Sequence, residues 1–400
     1  MRPLRIAMLT YSVRPRGGPV HALEVSEALA RRGHNVELMA LGRPRDDFFR
    51  APRVPARIIR YEPPDAPFDE RVQAMLAAYR DGLAEPLAEG CFDVVHAQDC
   101  LSANAALDLR EAGVVPHVIR TVHHVDSFTS PSLVACQDRS ILDPDALLCV
   151  SEPWVDRLAR EFGVRPGLVR NGVDPARHRP PRDADERRRD RAAVGVEGRL
   201  VVLTIGGIEP RKGSLVLLEA FARLRRLVPE LEPLLVVAGG ATLFDYRQEV
   251  NRFHARADEL GVTAHVRLLG SLSPHEIERV YRAADLLAQP STKEGFGLVL
   301  LEALACDLPV VASDLAVFRT FLEHGRNALL VPVGDAEALA DALARLARDP
   351  AERARLRSGG RAVIAEYSWD AAAESHELAY RALLPSLPRS RAIAPAATGP

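Results

Sequence analysis

Two trains of alternating strand-like and helix-like segments, separated by a polar break, constrain this chain more than any other feature. The first train opens with an apolar run over 4–11, a loop holding Gly17 and Gly18, a helix over 20–32 stopped by Gly33, and a second run over 36–41. Further runs at 58–61, 93–97, 117–122 and 146–150 alternate with amphipathic stretches such as 70–88 and 153–162. Short apolar runs without polar alternation suit strands buried on both faces, and the intervening helices supply the cover. The expected fold class is α/β, with parallel sheets.

The alternation stops after Asn171-Gly172-Val173-Asp174. There Pro175, Pro180, Pro181 and the arginines 187, 188, 189 and 191, interleaved with Asp185, Glu186 and Asp190, break all apolar periodicity until Leu200. Such a run reads as a solvated linker. Alternation then resumes with strand 200–205, helix 214–228, strand 234–238, helix 247–260, strand 265–269, helix 274–284, strand 286–289, a helix from Gly297 and strand 309–312. The expected division is a first domain over 1–174, a linker over 175–199 and a second domain over 200–368. A helix over 351–366 precedes a last amphipathic helix over 369–384, and the tail 385–400, rich in Pro, Ala and Arg, is expected to be disordered. Two domains also suit the length of 400 residues, because single cores stop growing near about 250–300.

Composition removes several function classes. A formal charge of −2 supplies no field for capturing nucleic acid. The five cysteines are odd in number and lack Cys-x-x-Cys spacing, which argues against a disulfide framework and a zinc site and for a reducing cytoplasm. No run approaches the ~18 apolar residues that span a bilayer, so the expectation is a soluble cytoplasmic protein, at most peripheral to the inner face of the membrane. The basic segment 43–60, with Phe48 and Phe49, is the candidate for contact with a membrane or an acceptor, an ordinary loop being the plainer reading. Of 52 basic residues only Lys212 and Lys293 are lysine, and both fall within motifs.

In open parallel sheets ligands bind at the carboxyl ends of strands. One such loop continues as Pro290-Ser291-Thr292-Lys293-Glu294-Gly295-Phe296-Gly297-Leu298, then runs through Val299, Leu300 and Leu301 to Glu302 and Ala303. A glycine-rich turn that opens a helix offers free amides and a positive dipole end to a diphosphate. Glu294 before it and Glu302 one turn beyond Leu298 can each accept hydrogen bonds from vicinal hydroxyls, which describes a phosphate flanked by two polyols. A surface turn with a capping carboxylate is the alternative. The loop Gly206-Gly207-Ile208-Glu209-Pro210-Arg211-Lys212-Gly213 sets two cations where they can neutralise a leaving diphosphate, or else forms a solvated charged turn. Gly17 and Gly18 permit close backbone approach, as in any tight turn. His123 and His124 follow one another on an extended segment, so only one can enter a given site.

Together these segments resemble the family-four clan of retaining GT-B glycosyltransferases over nearly the whole chain. The resemblance implies two Rossmann-like domains facing across a cleft, the first on the acceptor side with helix 369–384 crossing back to it, the second binding a nucleotide-sugar. It assigns Glu294 to the donor sugar, Glu302 to the ribose, Arg211 and Lys212 to the pyrophosphate, Gly17 and Gly18 to the loop nearest donor and acceptor, and His123 to the transferred sugar. Gly206, Gly207, Gly295, Phe296, Gly297 and Leu298 complete the donor-binding set. One departure stands out: the family's usual Gly-Arg pair after the first strand of the second domain is Gly206-Gly207 here, so a phosphate-binding arginine is missing.

The implied reaction moves a sugar from a nucleoside-diphosphate-sugar to an unidentified acceptor, be it a sugar, a lipid or a small molecule. The motifs offer no nucleophile for the anomeric carbon, which favours front-face transfer catalysed by His123, Glu294, Arg211 and Lys212. No cofactor or metal is expected, because Asp143-Pro144-Asp145 and Asp183-Ala184-Asp185 are misplaced for a metal-binding Asp-x-Asp. Rival readings are a nucleotide-sugar epimerase on the same fold and a non-catalytic nucleotide-sugar-binding protein.

Overall fold

The computed structural model describes residues 2–128, 130–240 and 246–384. The described residues form two compact units, one of 2–150, 155–169 and 372–384, the other of Ser151–Trp154 and the chain from Arg170 to Ala371. The tail 385–400 lies outside the described residues.

The first unit holds seven strands: β1 (Arg5–Thr10), β2 (Asn35–Gly42), β3 (Ala56–Arg60), β4 (Val94–Ala97), β5 (Val118–Val122), β6 (Ala146–Cys149) and β7 (Gly167–Leu168). They form one parallel sheet in the order β3-β2-β1-β4-β5-β6-β7. The central strands β4 and β5 are buried at every position, as apolar runs covered by helices on both faces require. One core layer joins Ala7, Leu9, Met39 and Val95 on the sheet to Met75, Tyr79 and Leu83 on the helix Phe68–Gly90. The helix Gly17–Arg31 begins earlier than its apolar pattern indicates, so Gly17 and Gly18 belong to its first turn and not to the preceding loop.

The second unit has β8 (Val201–Ile205), β9 (Leu234–Ala238), β10 (Val266–Gly270), β11 (Leu286–Gln289), β12 (Val310–Ser313) and β13 (Leu329–Val331). All run parallel in the order β10-β9-β8-β11-β12-β13. Strand order reverses at β8, whose neighbours are β9 and β11, and this places the loops after β8 and β11 side by side.

The segment 175–199, expected as a linker, carries secondary structure of its own. Within 175–199 the chain forms a helix, Ala184–Val194, capped by Asp183 through the Glu186 amide and ended by left-handed Gly195. Asp185, Arg188 and Arg189 face solvent, but Arg187, Asp190 and Arg191 clamp the amino end of the central strand β11. Arg187 and Arg191 reach Asp285 at 2.7 and 3.1 Å. They also donate to the carbonyls of Arg282, Ala284 and Ala283, which end the helix Pro274–Ala283. Buried Arg282 donates to Asp190 at 2.6 Å. The segment 170–174 also belongs to the second unit: Val173 bridges to Ser368, and a Cβ on Gly172 would lie 2.4 Å from Ser368 C.

Candidate functional site

In the second unit the adjacency of β8 and β11 brings together side chains more than eighty positions apart. Gly213 adopts φ +67°, and a Cβ there would stand 2.1 Å from Pro290 O, so only glycine lets the two loops close on each other. The Thr292 amide donates to Arg211 O at 2.8 Å and fixes their register. Lys212 Nζ consequently sits 2.6 Å from Glu294 Oε1, and Arg211 Nη1 lies 3.2 Å from Glu294 Oε2. The Ser291 hydroxyl donates to Glu294 Oε1 at 2.9 Å. Burial opposes ionisation of Glu294, but Lys212 and Arg211 outweigh it and hold the carboxyl below its usual range. The loop backbone is pinned as well: Trp154 Nε1 donates to Glu294 O at 3.0 Å, and Ser151 Oγ to Gly295 O at 3.2 Å.

The turn that follows is built for a helix start. Gly297 has φ +104°, and a Cβ there would lie 2.7 Å from the Phe318 ring. Phe296 is a structural prop, stacked on Phe321 with centroids 5.1 Å apart. The helix Leu298–Ala305 opens directly after Gly297; the Leu300 amide donates to Gly297 O at 2.9 Å, and the amides of the two residues before it have no acceptor within the helix. Glu302 accepts the Tyr281 hydroxyl at 2.6 Å, and His178 Nε2 approaches its other oxygen to 4.0 Å. Burial, reinforced by Glu302, raises the Tyr281 phenol well above its usual range and keeps it a donor.

In the first unit the two histidines separate as an extended backbone requires. His124 is exposed and lies 3.1 Å from Asp126. His123 turns inward, its Nε2 2.9 Å from Gln98 Oε1. The Gln98 amide nitrogen contacts Met8 Sδ at 3.0 Å, which orients the amide so that its oxygen accepts the His123 Nε2 proton. A Cβ on Gly18 would stand 3.6 Å from the His123 ring, whereas Gly17 meets nothing within 4 Å. Behind His123 lie three more histidines. His21 packs edge-on at 4.8 Å, His21 Nε2 is 3.2 Å from His376 Nε2, and His96 joins the Tyr380 hydroxyl at 2.6 Å. Burial drives His123 and His96 well below the usual imidazole range and His376 to about 4.

The structure thus joins Arg211, Lys212 and Glu294, places Gly295 through Glu302 just beyond them, and in the other unit sets Gly18 beside His123 while Gly17 is exposed. Sequence reasoning missed Ser291, Tyr281, His178 and the part played by Glu209, which is buried and lies 2.8 Å from Arg211 Nε. Ser291 and Glu209 sit inside the two motif loops and bond Glu294 and Arg211 a few residues on, whereas what Tyr281 and His178 face is shown only by the fold. In segment 43–60, Arg50 is turned inward onto Glu24 and Glu27. Among the described residues no group of three or more His, Cys, Asp and Glu side chains could hold a metal ion. Nor is any described helix long and apolar enough to cross a membrane.

Two Rossmann-like units with parallel sheets in one chain, the second carrying a cation pair and Glu294 beyond its strand ends and Glu302 in the helix that follows, are the architecture of a GT-B glycosyltransferase. Residues 15–177 match Glycosyltransferase Family 4, and residues 186–363 match the family described as Glycosyl transferases group 1. The D-inositol 3-phosphate glycosyltransferase of Saccharomonospora viridis is 32% identical over 399 residues, covering 92% of this chain and 91% of that one. Its counterpart from Corynebacterium jeikeium is 30% identical, covering 96% and 98%. Among solved structures, sucrose-phosphate synthase from Thermosynechococcus elongatus superposes with a TM-score of 0.79 at 24% identity, covering 95% of this chain and 99% of that one. Anabaena HepE in complex with UDP-glucose gives 0.76 at 20% identity, covering 96% and 100%. The chain belongs to the family-four, group 1 glycosyltransferases. It is an enzyme that transfers a sugar from a nucleotide-sugar donor.

Proposed function

We propose that the enzyme retains the anomeric configuration of the transferred sugar and works by front-face displacement. The carrying observation is the 2.6 Å contact between Lys212 and Glu294, which sets a fixed cation for the departing phosphate beside a carboxylate suited to sugar hydroxyls. The donor's diphosphate lies against Lys212, Arg211 and the first-turn amides after Gly297, and its ribose hydroxyls bond Glu302. Glu294 gives up part of its ion pairing to the sugar hydroxyls. As the anomeric C–O bond to phosphate breaks, the acceptor oxygen bonds that carbon on the same face, and the acceptor's proton passes to the departing phosphate oxygen. Charge developing on the diphosphate is met by fixed cations and dipoles, with no metal required. The acceptor is a hydroxyl compound of unassigned type, and five free cysteines suit action in a reducing cytoplasm.

The test is a panel of nucleotide-sugars incubated with and without candidate hydroxyl acceptors, the products resolved by NMR. The reading predicts acceptor-dependent release of nucleoside diphosphate and a product of retained configuration. An inverted product contradicts it, and conversion of the donor to its epimer without acceptor establishes the rival epimerase.

A further inference from the structure

The glycines after β8 stand where no side chain fits. A Cβ on Gly207 would lie 2.8 Å from Gly240 O, and one on Gly239 would lie 2.3 Å from Gly206 C and 2.7 Å from Gly207 N. A Cβ on Gly240 would meet Ser271 Oγ at 1.7 Å. The glycine pairs that follow the adjacent strands β8 and β9 therefore interlock backbone to backbone. An arginine at 207 would force them apart, so the arginine expected there has no room.

Glu209 occupies the neighbouring space. Its Oε1 lies 3.3 Å from the Cβ position of Gly207, and its side chain is 4% exposed. Arg211 Nε pairs with its other oxygen at 2.8 Å, while Arg211 Nη1 reaches Glu294 at 3.2 Å. A guanidinium is a rigid planar fork, so anchoring Nε fixes the plane in which its remaining donors lie. Two cations, Arg211 and Lys212, face two carboxylates, Glu209 and Glu294, and this leaves the cluster without net charge. A diphosphate is then bound by the placement of individual donors, not by a general positive field.

We propose that Glu209 is a positioning residue that anchors Arg211 so that its guanidinium serves as the phosphate-binding arginine in place of one at 207. The assignment rests on the donor reading given above. If Glu209 merely propped the loop, its loss would disturb every ligand of the site alike. If it merely balanced charge, its loss would strengthen anion binding. An anchor has a third signature: its loss weakens phosphate binding alone, and only while Arg211 is present.

Calorimetry with UDP, ADP, GDP and dTDP, and with the matching nucleosides, separates these cases. With the diphosphate that wild type binds best, Glu209→Ala is expected to weaken affinity about tenfold, or ~1.4 kcal/mol, as does Arg211→Ala. The double variant is expected to be no weaker than Arg211→Ala, because the two act as one unit. Glu209→Gln, which keeps an acceptor for Nε without the charge, is expected to restore affinity to within about threefold of wild type. Nucleoside affinity stays constant throughout. Unchanged or tighter diphosphate binding in Glu209→Ala, additive losses in the double variant, or equal losses for the nucleoside would each overturn the role of Glu209. Absence of binding by wild type to all four diphosphates would instead overturn the donor reading, and the proposal with it.

Discussion

The Tyr281 hydroxyl donates to Glu302 Oε2 at 2.6 Å, so the glutamate assigned to the ribose is held by a phenol from the helix preceding β11. A carboxylate pinned on one oxygen can present the other to a diol in a single orientation. Tyr281→Phe keeps the shape of a ring that is only 1% exposed. It should weaken binding of free nucleoside diphosphate by about 1 kcal/mol, roughly fivefold, and Glu302→Ala should weaken it further, by about 1.5–3 kcal/mol. Calorimetry checks both. Glu302→Ala with unchanged affinity removes the ribose assignment.

His123 and His124 provide an internal control, because one faces the buried histidines and the other faces solvent. His123→Ala should lower kcat by about tenfold or more, on the order of a lost orienting contact, with little change in nucleotide affinity. His124→Ala should leave both near wild type. Greater loss in the His124 variant would show that the wrong histidine has been assigned.

The buried histidines make stability depend on pH in a defined direction. His376, His96 and His123 have depressed values in the folded state, so they stay neutral there while unfolded histidine takes up a proton near its ordinary value of 6.5. Their contribution is fully present above the unfolded value and is lost as pH falls toward the folded one. Between about pH 7.5 and about pH 5.5 His376 alone should remove about 1.4 kcal/mol, with His96 and His123 acting in the same direction, a range in which ordinary carboxylates remain ionised. Urea titrations across that range should show the decline, and His376→Gln should flatten it by about one proton. A flat profile for wild type contradicts neutral burial.

The proposed front-face mechanism, resting on fixed cations, predicts transfer independent of added metal. With an active donor in hand, excess EDTA should leave the rate unchanged. Complete loss that magnesium or manganese restores would show that the diphosphate needs a bound ion in addition to Lys212 and Arg211.

The fold was legible because parallel strands buried on both faces leave uninterrupted apolar runs; the run at 234–238 coincides with β9 and that at 286–289 with β11. The helix Ala184–Val194 was hidden for the opposite reason. Its face toward Asp285 and Arg282 is charged rather than apolar, and hydrophobic periodicity cannot register a helix docked through ion pairs. Gly17 and Gly18 read as loop because glycine is a poor helix former, yet they open the helix Gly17–Arg31. Within the candidate site, the residues on contiguous motifs were accessible to spacing arguments. Tyr281 and His178 were not, since their partner Glu302 is brought to them by the fold, and the inward turn of Glu209 onto Arg211 is a matter of burial that spacing does not show.

The most direct test of the account is the turnover of Lys212→Ala, measured with the best donor of the panel and excess EDTA. Lys212 Nζ lies 2.6 Å from Glu294 and its side chain is 14% exposed, so the charge it offers a departing phosphate is partly shielded from water. Removing one preorganised stabiliser of developing charge typically costs about 10²–10³ in kcat. The account predicts a loss of that size with nucleoside affinity unchanged and the protein folded. Turnover equal to wild type would contradict it, because the diphosphate would then be leaving without the cation on which the proposed chemistry depends.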